Sequence, residues 1–125
     1  MLAKPTPSEL EILRVLWERG PSTVREVCDA LSESKAMGYT NVLKLMQIMA
    51  SKGLLERDER ERAHVYSPSQ PAEKTKSQLA LDIIDRVFGG SASELMMHAL
   101  APRKATKKEV DELHRLLKDH ERKLR

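Results

Sequence analysis

Four capping boxes, each a serine or threonine followed three residues later by glutamate, stand ahead of apolar runs in this chain: Thr6 with Glu9, Thr23 with Glu26, Ser91 with Glu94, and Thr106 with Glu109. In that spacing the hydroxyl accepts from the backbone N–H three residues on, while the carboxylate accepts the N–H of the capping residue, so two orphan donors of a helix start are satisfied together. Pro7, at the first helical position, strengthens the first of them. The stops are equally plain: Gly20-Pro21, Gly53, Gly89-Gly90 and Pro102. Such punctuation commits the chain to short helices.

The apolar residues between these marks agree. Leu10, Leu13 and Trp17, with Ile12 and Leu16 beside them, have helical spacing, and Val24, Val27, Cys28 and Leu31 fall at i, i+3, i+4, i+7. After a polar stretch from Ser32 to Gly38 the same spacing returns in Val42, Leu45, Met46 and Met49, and Gly53 stands where a left-handed residue closes a helix. Leu54-Leu55, the charged run Glu56 to Arg62 and Ala63-His64-Val65-Tyr66 predict an antiparallel hairpin over 54–58 and 63–67. Beyond Pro71, three further helices carry Ala80, Ile83, Ile84 and Val87 up to Phe88, then Leu95, Met96, Ala99 and Leu100, then Val110, Leu113 and Leu117. Aromatic residues make up only 3% of the chain, so any core is aliphatic.

Three short helices followed by a two- or three-stranded wing are the winged-helix plan, a variant of the helix-turn-helix. The fold expected is mainly α, with a winged-helix DNA-binding domain over residues 1–70 and a helical dimerisation domain over 71–125. About 55 residues in three helices are marginal alone, and a twofold dimer is the commonest remedy. The expected dimer residues are Ile83, Ile84, Val87, Phe88, Leu95, Met96, Leu113 and Leu117.

If Val42, Leu45, Met46 and Met49 face inward, the third helix turns Thr40, Asn41, Lys44, Gln47 and Ser51 outward. Asn and Gln pair with adenine, Lys with guanine or phosphate, and Thr with base edges or a thymine methyl. No acidic residue occurs from Lys35 through Leu55, a window of 21 residues, although the chain carries 19 Asp and Glu. Carboxylates repel phosphates, so Thr40, Asn41, Lys44 and Gln47 are the expected readers of duplex DNA, with Lys52 and Arg62 on its backbone. The wing tip interleaves Arg57, Arg60 and Arg62 with Glu56, Asp58, Glu59 and Glu61, which also fits a self-paired solvated loop. Net charge is +3, yet residues 1–70 are neutral, which suits a protein-interaction module without DNA binding as the alternative.

Other chemistries find no residues to carry them. His64, His98, His114 and His120 are neither paired at i+4 nor clustered with cysteine, so no metal and no cofactor is expected. The lone Cys28 lies on an inward helix face and reads as core in a reducing compartment. The segment Met-Leu-Ala-Lys-Pro lacks the apolar stretch of a signal peptide, and no run of about 18 apolar residues exists, so a cytoplasmic protein that is not an enzyme is expected.

Pro5 through Trp17 resembles the opening of the penicillinase-repressor family, which includes the methicillin-resistance and copper-operon repressors. Gly20 through Val27, Gly38 through Leu43, Lys52 through Leu55, Arg62 through Tyr66 and Phe88 through Ser91 continue the match, over residues 5–120. The resemblance implies a transcriptional repressor that dimerises through its C-terminal helices and binds operators of dyad symmetry. It also implies an induction mode. In the antibiotic branch a membrane sensor triggers cleavage at an Asn-Phe bond, but the aligned pair here is His98-Ala99. In the copper branch a C-terminal cysteine motif binds metal, and no cysteine follows Cys28. Asn41, Lys44 and Ile48 depart from residues common in relatives, so the operator is not borrowed from them. Glu61-Arg62 keeps the family's wing arginine and loses the glycine before it.

Overall fold

The first capping box forms as the spacing demands. In the computed structural model, which describes residues 4–32, 37–101 and 105–124, the Thr6 hydroxyl accepts from the Glu9 N–H at 3.3 Å and Glu9 Oε1 accepts from the Thr6 N–H at 2.8 Å. This box starts helix α1 (Pro7–Arg19), and Gly20 closes it at φ +89°. A two-residue strand β1 (Ser22–Thr23) leads into α2 (Val24–Ser32), whose start is held by the reciprocal Thr23–Glu26 bonds. Helix α3 spans Tyr39–Ser51. Its end is a Schellman turn: Gly53, at φ +85°, donates to Ala50 O, and Leu54 donates to Met49 O.

Strands β2 (Leu55–Asp58) and β3 (Val65–Pro68) pair antiparallel, with Leu55 opposite Pro68 and Asp58 opposite Val65. Compared with the expected 54–58 and 63–67, the first strand starts one residue later, since the Leu54 N–H already closes α3, and the second runs 65–68. β1 joins the other side of β3, Ser22 opposite Tyr66, which gives a three-stranded sheet of order β1-β3-β2. The wing is therefore three-stranded, and the winged-helix expectation holds. The third strand is two residues long, too short to leave a period in the sequence.

Each helix of this half buries one stripe. Ile12, Leu13 and Leu16 of α1, Val24, Val27, Cys28 and Leu31 of α2, and Val42, Met46 and Met49 of α3 meet Leu54, Leu55 and Tyr66 in one core. Leu45, expected inward with them, is half-buried against it, as are Leu10 and Trp17. Cys28 is core, as its position implied, and its thiol lies 3.7 Å from Met37 O. Met46 is wholly buried, so Met46→Ala is expected to cost about 2–5 kcal/mol of stability by chemical denaturation, the range for a large-to-small core change. A loss below about 1 kcal/mol would mean that the site collapses around the smaller side chain.

Three helices follow: α4 (Ala72–Val87), α5 (Ala92–Leu100) and α6 (Lys107–Lys123). Ser91 accepts from the Glu94 N–H at the start of α5, and Thr106 and Glu109 close a full box before α6. The chain divides into two compact units between Leu79 and Ala80, part-way along α4. None of the described residues in α4, α5 or α6 is buried.

Candidate nucleic-acid interface

Helix α3 exposes a polar row because the stripe it gives to the core lies on the other side. With Val42, Met46 and Met49 buried, Thr40, Asn41, Lys44, Gln47 and Ser51 are exposed. Gly38 caps the helix without a side-chain hydrogen bond, and the first turn carries no acidic residue. Lys44 has no ion-pair partner among the described residues. Donors, acceptors and one cation therefore stand on a single helix face with no carboxylate on that helix to repel a polyanion.

A cleft beside this face is lined by Arg25 of α2, Tyr39 and Gln47 of α3, and Arg62 and His64 of the wing. The Arg25 guanidinium lies 4.5 Å from the centroid of the Tyr39 ring, a cation–π stack that holds it at the cleft's edge. Sequence reading missed Arg25 and Tyr39; their spacing across two helices and a turn carries no linear signal. It did place Gln47 and Arg62, which the structure brings to the same cleft.

The three wing arginines differ. Arg57 is bound to Glu59 at 2.6 Å, and a hydrogen bond with Tyr66 followed by the Glu59 charge raises its pKa above the ordinary value. Arg60 clasps Asp58 through Nε and Nη2, at 2.7–3.1 Å, and those side-chain bonds pull Asp58 down to about 2. Arg62 has no ion pair among the described residues. The self-paired loop thus describes Arg57 and Arg60, and leaves Arg62 with its charge unspent.

Lys52, expected on a DNA backbone, is engaged within the protein in the free chain. Its ammonium binds both carboxylate oxygens of Glu9, at 2.8 and 3.1 Å, and Glu9 is only 2% exposed. Burial pushes the Glu9 pKa up, but the hydrogen bonds from Lys52 and Thr6, with the Lys52 charge, outweigh it and hold the group below its ordinary value. Glu9 is a cap by its spacing from Thr6, and it also stands at i of the buried stripe completed by Ile12, Leu13 and Leu16. That register was the signal for a partner.

The expected dimer residues lie where water reaches them. Ile83, Val87, Met96 and Leu117 are exposed, and Ile84, Phe88, Leu95 and Leu113 are half-buried. Leu81, Met97, Leu100, Val110 and Leu116 are exposed as well. The described residues hold no group of three His, Cys, Asp or Glu placed to bind a metal ion, and no helix among them is long and apolar enough to cross a membrane.

The family pattern described as penicillinase repressor matches residues 5–119. A transcriptional regulator of Mycobacterium tuberculosis, BlaI, is 30% identical over 90% of this chain and 82% of its own length. Two solved structures share the fold over 58% of this chain. One is the DNA-binding domain of the repressor BlaI, at 24% identity and a TM-score of 0.51, covering 58% of this chain and 90% of that one. The other is the monomeric form of Bacillus licheniformis BlaI in complex with the blaP half-operator, at 22% identity and a TM-score of 0.51, covering 58% and 89%.

Proposed function

The chain belongs to the penicillinase repressor family, and we propose that it acts in the cytoplasm as a homodimer that covers a near-palindromic operator. It is a DNA-binding transcriptional repressor and not an enzyme. The observation that carries the finer reading is the exposed, carboxylate-free face of α3. A helix of 13 residues is about 20 Å long, and the major groove, about 12 Å wide, admits it.

In this reading Thr40, Asn41, Lys44 and Gln47 address base edges and Arg62 the backbone beside them. Lys52 serves the interface from behind, fastening the end of α3 to the start of α1 through Glu9. Residues 1–70 form the DNA-binding domain and 71–125 the dimerisation domain. Support for the second assignment is the set of large apolar side chains that α4, α5 and α6 leave exposed, among them Leu81, Val87, Met97, Leu116 and Leu117. A twofold axis sets the two α3 helices about one turn of duplex apart, roughly 34 Å, and so requires two related half-sites. B. licheniformis BlaI with a half-operator supplies the analogy for one such half.

The test is salt-titrated binding of the purified chain to the DNA upstream of its own gene. Log affinity is expected to fall linearly with log salt, because each neutralised phosphate releases counterions. Lys44→Ala is expected to cost about 1–3 kcal/mol on the operator and little on unrelated duplex if Lys44 reads a base. An equal loss on both would make it a phosphate contact. Absence of any sequence preference in the unmodified chain would contradict the reading and favour a winged helix that binds protein.

A further inference from the structure

One apolar side chain of α3 belongs neither to the core nor to the wing cleft. Val42, Met46 and Met49 are buried, Leu43, Leu45 and Ala50 pack against the core, and Tyr39 lies under Arg25. Ile48 is 40% exposed and stands outside that cluster. It sits on the polar side, in the exposed row Asn41, Lys44, Ile48, Ser51, which follows the i, i+3, i+7, i+10 line of the helix. An exposed β-branched residue gains nothing for an isolated helix, where alanine is the better former.

We infer that Ile48 is a specificity-determining residue that packs on the C5-methyl of a thymine in each half-site, an inference that rests on the repressor reading above. The surroundings select this ligand over a protein partner. A single isoleucine bounded by Lys44, Gln47 and Ser51 is too small for an apolar docking patch. It matches the one apolar group that the major-groove edge of a base pair presents, and its neighbours are the residue types that hydrogen-bond the edges on either side.

Replacing thymine by deoxyuridine removes that methyl and leaves the base pairing intact. On the footprinted operator, each thymine of a half-site is changed in turn and affinity is measured for the unmodified chain, Ile48→Val and Ile48→Ala. One position is expected at which uracil weakens the unmodified chain about four-fold, the worth of one buried methyl group. Ile48→Val retains most of that preference, and Ile48→Ala binds the thymine and uracil duplexes there equally well. Uracil sensitivity that persists unchanged in Ile48→Ala, or that is absent from the unmodified chain on an operator it binds, overturns the inference and leaves the repressor reading standing. Failure of the unmodified chain to select any duplex removes both. Circular dichroism of Ile48→Ala is expected to match the unmodified chain, since the side chain is not among the buried residues of the core.

Discussion

A chain carrying Val87→Glu and Leu117→Glu is expected to sediment as a monomer and to lose about 10²- to 10⁴-fold of its operator affinity. Both side chains are about two-thirds exposed in the isolated protomer, 67% and 64%, so a carboxylate at either site remains in water and does little to the fold of one chain. In a dimer the same carboxylates would be buried against apolar surface, where an unpaired charge is strongly unfavourable. The loss of DNA affinity follows from linkage. Two half-sites held together bind the second as an intramolecular event, and separating them forfeits that effective concentration. Far-ultraviolet circular dichroism guards against unfolding as the cause. A folded variant that still sediments as a dimer with unchanged affinity would place the subunit contact elsewhere.

The second large effect lies behind α3. Lys52→Met leaves the Glu9 carboxylate buried with its strongest partner gone, and is expected to destabilise the winged helix by about 3–5 kcal/mol. Adding Glu9→Gln removes the stranded charge while keeping an oxygen for the Thr6 N–H, so the double variant is expected to recover most of the loss. The sign with pH is fixed by direction. Glu9 titrates below its unfolded value of 4.5, so its contribution is complete above that pH and is lost as pH falls through the folded value. In Lys52→Met burial is no longer opposed by the ammonium, so the carboxyl takes up its proton at a higher pH than in the unmodified chain and protonation relieves part of the penalty. Below pH 4.5 the gap between the two proteins is therefore expected to narrow. Urea denaturation at several pH values measures it, and a gap of constant size would show that the pair contributes by contact rather than by charge.

The parts of this fold that could be read in advance are those written locally. Thr6, Thr23 and Thr106 close reciprocal boxes with their glutamates, as three-residue spacing requires. Gly53 adopts the positive φ its position implied, and the core takes all four inward residues of α2 and three of the four expected from α3, Val42, Met46 and Met49. What escaped depends on chain segments meeting in space. β1 is made by Ser22 and Thr23 reaching Tyr66 and Val65, a pairing that two residues cannot announce. Lys52 and Glu9 are 43 positions apart, and each had a sufficient local role, as a surface cation and as a cap. The outer residues of α3 were identified by subtraction, once the inward ones were known. Arg25 carries no local mark of its place, because its stack on the Tyr39 ring joins residues of two different helices.

Hydroxyl-radical footprinting of the unmodified chain on its own upstream DNA, beside Asn41→Ala/Lys44→Ala, asks whether the outer face of α3 is what meets the duplex. The expected pattern is two protected segments on one face of the duplex, related by a dyad and centred about one helical turn apart, roughly 34 Å. In the double variant both should fade together while the protein stays folded and dimeric. Protection of equal strength in the variant, or no localised protection in either protein, would mean that α3 does not enter the groove.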